Sequence, residues 1–153
     1  MGYQEKASWG TLLITLIVLI NYVVKLITID ITDMNILKLL SISFIWIIIA
    51  TIIVHGVLAI LNTKEAEKGS DERDNIFQLT ATRNSAWALY VFVFFTISQL
   101  FLVQHFITNG AISYFSIANV SAAYNMANML VLGLLISSVV HDVTKLYYYR
   151  RGY

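Results

Sequence analysis

Four almost wholly apolar stretches constrain this chain more than any other feature: Thr11 to Ile29, Leu39 to Leu61, Ala86 to Ile107, and Ile117 to about Val140. Each is close to the roughly 20 residues that a helix needs to cross about 30 Å of hydrocarbon. The second, LLSISFIWIIIATIIVHGVLAIL, holds no charge, whereas Asn21 and Lys25 interrupt the first. Lys25 is about a turn from Asp30, so its stem can follow the helix while the ammonium reaches the interface. In water the many Ile and Val would favour strands, but lipid does not tolerate the free edges of a sheet, so the runs read as helices. Composition agrees: 58% of residues are hydrophobic and 12% charged, against about 25% charged in soluble domains. The expected fold is all-α, a single domain over 1–153 forming a transmembrane four-helix bundle.

With 10 Lys+Arg against 9 Asp+Glu the net charge is +1, which leaves no basic field to hold nucleic acid. The chain has no Cys, which excludes disulfides and thiolate sites, and no Pro to kink a helix. The opening MGYQEKASWG is too short and too weakly basic for a secretory leader, and no small-residue cleavage pattern follows, so the first span is expected to be retained. Lys6 stands where a myristoylation signal needs Ser or Thr.

Lys6, Lys64, Lys68, Arg73, Arg83, Lys145, Arg150 and Arg151, eight of the ten basic residues, fall on one side of this arrangement, and Lys25 and Lys38 on the other. The positive-inside rule then places both termini and the long connection between the second and third spans in the cytoplasm. Trp9, Trp87 and Tyr147-Tyr148-Tyr149 fall near that inner boundary, where amphipathic rings prefer to lie.

The connection from Asn62 to Arg83 holds nine of the chain's nineteen charged residues. Ser70 or Asp71 is a plausible N-cap, with Asp71, Glu72 and Asp74 where the helix dipole favours negative charge. The third helix is expected to run from near Asp71 to about Ile107, with Ile76, Phe77, Leu79 and Ala81 as an apolar side on the membrane surface or on other helices. Asp71, Glu72, Arg73 and Asp74 can be a capped helix start with local ion pairs. Alternatively, a tail folded beneath this helix makes a clamp, with Asp74 or Glu72 as the acidic member and Arg150, beside Arg151, as the basic one.

In the fourth span, Ser121, Asn125, Asn128 and Asp142 share an arc of about 100°, one polar face directed into the bundle. Amide hydrogen bonds between helices explain this face without a ligand, and Gln99 and Gln104 are natural partners. His55 and His141 have similar depths, while His105 belongs to the opposite end. The pair could ligate haem or, with Asp142 or a loop carboxylate, a divalent metal. Yet Glu-x-x-His spacing is absent, and the helical phase sets His141 opposite the Asn125 face. No carboxylate lies within a span, which disfavours a minimal proton-coupled transporter. No phosphate loop or Ser-His-Asp pattern at a common depth offers a seat for enzymatic chemistry. No cofactor follows from these residues.

Three motifs, Tyr3-Gln4-Glu5-Lys6 followed by Trp9, Asp71-Glu72-Arg73-Asp74 with Ile76, and Tyr148-Tyr149-Arg150-Arg151-Gly152, occur in this order along the whole chain. The pattern resembles a family of small, uncharacterised prokaryotic membrane proteins with four helices, an Asp-Glu-Arg-Asp loop and a Tyr-Arg-Arg-Gly tail. The resemblance implies a place in the inner membrane and draws attention to Asp71–Asp74, Arg150 and Arg151. It implies nothing for His55 or His141. Family members encoded beside small helix-turn-helix regulators make a regulatory partner an expectation. The expected function is that of a non-enzymatic membrane protein acting through its cytoplasmic face on a protein partner, with anionic lipid at the tail. Homo-oligomerisation is compatible with the lipid-facing surfaces. The alternative is a protein that handles ions or small molecules, either a minimal transporter or a metal or haem carrier using His55 and His141.

Overall fold

A computed structural model describes residues 2–28, 32–61, 71–107 and 121–151, and these form four helices. They are α1 (Tyr3–Thr28), α2 (Asp33–Leu61), α3 (Glu72–Ile107) and α4 (Ala122–Arg151). Three of them, α1, α2 and α4, are long and apolar enough to cross a membrane. α3 has the expected bounds, and α1 and α4 carry their helical geometry well past the apolar stretches into Tyr3 and Arg151. The expected start of the fourth span at Ile117 lies outside the described residues.

Two hydroxyls of α3 are satisfied locally. Thr96 Oγ1 donates to the Phe92 carbonyl at 2.8 Å, and Ser98 Oγ to that of Phe94 at 2.8 Å, the i−4 bond that Ser and Thr make within a helix. At the start of α2, Thr32 acts as the cap, its Oγ1 accepting from Asn35 N at 3.3 Å. Asp33 Oδ1 accepts from Ser121 N at 2.8 Å and so ties that end of α2 to the entry of α4.

Packing is unequal. α4 lies between α1 and α3, while α2 packs chiefly on α1 and touches α4 more lightly. One face of α4, with Asn128, Val131 and Leu135, meets Tyr22 of α1 and Ile36, Leu39 and Leu40 of α2 in the main apolar core. The opposite face meets α3. There Gly133 lets the backbone approach Phe92 so closely that a Cβ would stand 2.6 Å from the Phe92 Cβ, and Ser137 Oγ donates to the Ser85 carbonyl at 2.8 Å. Much of α2 is covered by no other helix; Trp46 and Ile52 are 60% and 66% exposed. Such a face is unfavourable in water and is the solvent side of a helix in lipid.

Candidate functional site at the charged end of the helices

The N-terminal turns of α1 and α3 and the C-terminal parts of α2 and α4 converge at one end of the molecule. The Asp-Glu-Arg-Asp segment is built there as a helix cap. Asp71 precedes α3, its Oδ1 accepts from Glu72 N at 2.7 Å, and its carbonyl accepts the first helical bond from Asn75 N at 3.0 Å. Asp74 reaches back, its Oδ2 accepting from Asp71 N at 3.4 Å, in the manner of a capping box.

Asp74 also joins two helices, because its Oδ1 accepts from the Tyr149 hydroxyl at 2.7 Å. Burial above all, and then this bond to a carboxylate, hold the Tyr149 phenol well above its ordinary range. Tyr148 stacks on Phe77 at 5.6 Å between ring centroids, and Tyr149 meets the same ring edge-on at 5.2 Å. Two of the three tail tyrosines therefore pack on α3. Phe77, which carries these contacts, and Ala81 are buried, while Ile76 and Leu79 remain exposed, which divides the apolar side expected for this stretch.

The arginines are held by rings. Arg73 lies 5.2 Å from the Phe77 centroid, Arg150 lies 5.5 Å from that of Trp9, and Arg151 lies over Tyr147, whose hydroxyl it also meets. The clamp thus has its expected acidic member, Asp74, but its partner is the Tyr149 hydroxyl, with Arg150 drawn to Trp9 on α1. The helical phase accounts for this: Tyr149 is turned toward α3, and the next residue is rotated by about 100°. Arg73, Arg150 and Arg151 remain exposed, as do Asp71 and Glu72.

Beneath this rim is a cavity of about 420 Å³ lined by residues of all four helices, among them Ser8, His55, Asp74, Gln78, His141, Asp142 and Lys145. His55 and His141 do share it, as their depths imply. With its proton on Nδ1, His141 donates to Asp142 Oδ1 at 3.1 Å, and its Nε2 accepts from Gln78 Nε2 at 3.1 Å. Both ring nitrogens are engaged, and among the described residues no three His, Asp or Glu side chains gather as a metal site. A metal would have to displace Gln78 to reach Nε2.

The polar face of α4 is realised in part. Asn128 and Asp142 are buried, Asn125 is half-buried and Ser121 is exposed. The partner of Asn128 is not Gln99; its Oδ1 accepts from the Tyr22 hydroxyl, because this face of α4 meets α1 rather than α3. The Gln104 side chain lies outside the described residues. Sequence reasoning missed Lys145, which is 8% exposed and lines the cavity. The available signal was its spacing from Asp142: residues three apart share a helix face.

Comparison of the chain with protein-family models, with curated proteins and with solved structures finds no match, so the family resemblance rests on the three motifs alone.

Proposed function

We propose that this chain is a non-enzymatic integral membrane protein of a prokaryotic inner membrane, with α3 as a fourth span and both termini in the cytoplasm. Its cytoplasmic end docks a protein partner. The carrying observation is the segregation of exposed charge: Asp71, Glu72, Arg73, Arg150 and Arg151 surround one end of the helices, and no Asp, Glu, Lys or Arg occurs between Arg83 and Asp142. Exposed guanidiniums beside carboxylates suit a partner surface that carries both signs. The test is a photo-crosslinking residue at position 72 or 150 in native membranes. A discrete crosslinked partner that disappears with Arg73→Glu supports docking, whereas recovery of the protein alone, unchanged by that reversal, overturns it.

One observation favours the second reading, ligand handling: His55 and His141 line one cavity. A Soret band or near-stoichiometric metal that is lost in His141→Ala would carry it. A colourless, metal-free protein would leave these histidines a structural role.

A further inference from the structure

Asp142 and Lys145 lie three residues apart on α4 and line the same cavity, and only 5% and 8% of their surfaces are exposed. Opposite charges so placed ordinarily pair. Here they do not meet. Asp142 Oδ1 accepts a hydrogen bond from His141 Nδ1, while Asp142 Oδ2 and Lys145 Nζ have no hydrogen-bond or direct ion-pair partner among the described residues. Nor is either atom sealed in protein. Among the described residues Trp9 Nε1 is the one side-chain atom that is both sealed and unpartnered. Two charged groups, each more than nine-tenths buried, therefore open into the cavity with bonding capacity to spare. Burial lowers the Lys145 pKa, opposed by the charges of Asp142 and Asp74, so the ammonium gains from any anionic group brought against it.

The local charge decides what fits. A plain anion on Lys145 would be repelled by Asp142 and Asp74, and a plain cation on Asp142 by Lys145. Both oxygens of Asp74 are already engaged. We propose that the cavity binds a small zwitterion, its phosphate or carboxylate on Lys145 and its ammonium on Asp142. A volume of about 420 Å³ holds such a group together with several waters. The apolar stretch of α4 ends just before Asp142, at the level where the headgroups of an aminophospholipid present a phosphate and an ammonium together. A free zwitterion such as phosphoethanolamine presents the same chemistry. This site involves neither a docked partner nor a metal on His141, and its test is independent of both.

The full chain, purified in a non-ionic detergent, is delipidated stepwise, and native mass spectrometry compares retention of phosphatidylethanolamine with that of phosphatidylglycerol. Calorimetry with free phosphoethanolamine forms the second arm. The unaltered protein is expected to favour the zwitterion in at least one arm by about tenfold, with Asp142→Asn and Lys145→Met each removing most of that preference. Lipid retention without free binding assigns the site to a headgroup; free binding with no lipid preference assigns it to a soluble zwitterion. Equal retention of both lipids with no free binding overturns the proposal, as does a preference of the unaltered protein for phosphatidylglycerol. The lipid comparison is made on the native sequence, so a variant that fails to fold leaves it decisive.

Discussion

Asp74 has two tasks, completing the cap of α3 and accepting the Tyr149 hydroxyl, and the energetic order of nearby substitutions follows from them. Tyr149→Phe removes a hydrogen bond to a charged acceptor and is expected to cost about 1.5–3 kcal/mol, and Asp74→Ala at least as much. Asp71→Ala is expected to cost about 0.5–2 kcal/mol as a lost cap. Arg73→Ala and Arg150→Ala, which lose exposed cation–π contacts, are expected to cost about 0.5–1 kcal/mol each. Exchanging the charges of Asp74 and Arg150 should rescue nothing. Thermal unfolding in detergent checks the order, and a larger loss in Arg150→Ala than in Tyr149→Phe would restore the ionic clamp. The Tyr149 phenol, raised first by burial and then by this bond, has an alkaline signature. The unfolded chain releases the tyrosine proton near pH 10 and the folded protein holds it longer, so stability should fall as pH rises beyond about 10. Tyr149→Phe should flatten that fall in a pH series.

Among the elements, α4 carries the architecture because both of its faces are occupied. Its contact with α3 depends on a close approach at Gly133, where the atom in the way is the Phe92 Cβ, fixed to the backbone and unable to swing aside. Gly133→Ala gains up to about 1 kcal/mol of helix propensity but inserts a methyl into a filled contact, for which about 1–3 kcal/mol is typical. Net destabilisation is expected. At Gly10 a Cβ would meet the Val54 Cγ1 at 2.6 Å; Val is stiff at χ1, but this methyl lies one bond beyond a backbone-fixed Cβ such as the one in the way at Gly133, so Gly10→Ala should be the milder change. Melting temperatures of the two variants compared side by side test this, and equal or reversed effects would mean that the α3–α4 contact yields.

Taken whole, the molecule has an apolar core toward the end where Tyr22 meets Ile36 and Val131, and a polar cavity at the other. The charged end is expected to face the cytoplasm. Single cysteines introduced at Ser70 and Ile112, in a chain without native Cys, check this by membrane-impermeant labelling. Position 70 should react only from the inner side, and reaction of position 112 from that side would invert the topology. The sequence by itself determined that four helices form, because in lipid an unbroken apolar run has no other way to satisfy its backbone, but not that α1 and α2 begin before their apolar stretches or that α4 runs past its own. It also narrowed the cap to Ser70 or Asp71, a matter of neighbouring residues, and placed His55 and His141 at a common depth, which follows from the rise per residue. What it left open were partners across helices. That Asp74 bonds Tyr149, that Asn128 bonds Tyr22 rather than Gln99, and that Arg150 turns to Trp9 all depend on α4 lying between α1 and α3. Only the tertiary structure could decide this, because helices apolar on every side carry no stripe to say which neighbour each face meets. Lys145 was hidden for the same reason: in the sequence it is one more cation near a tail, and packing of the helices is what encloses it beside Asp142.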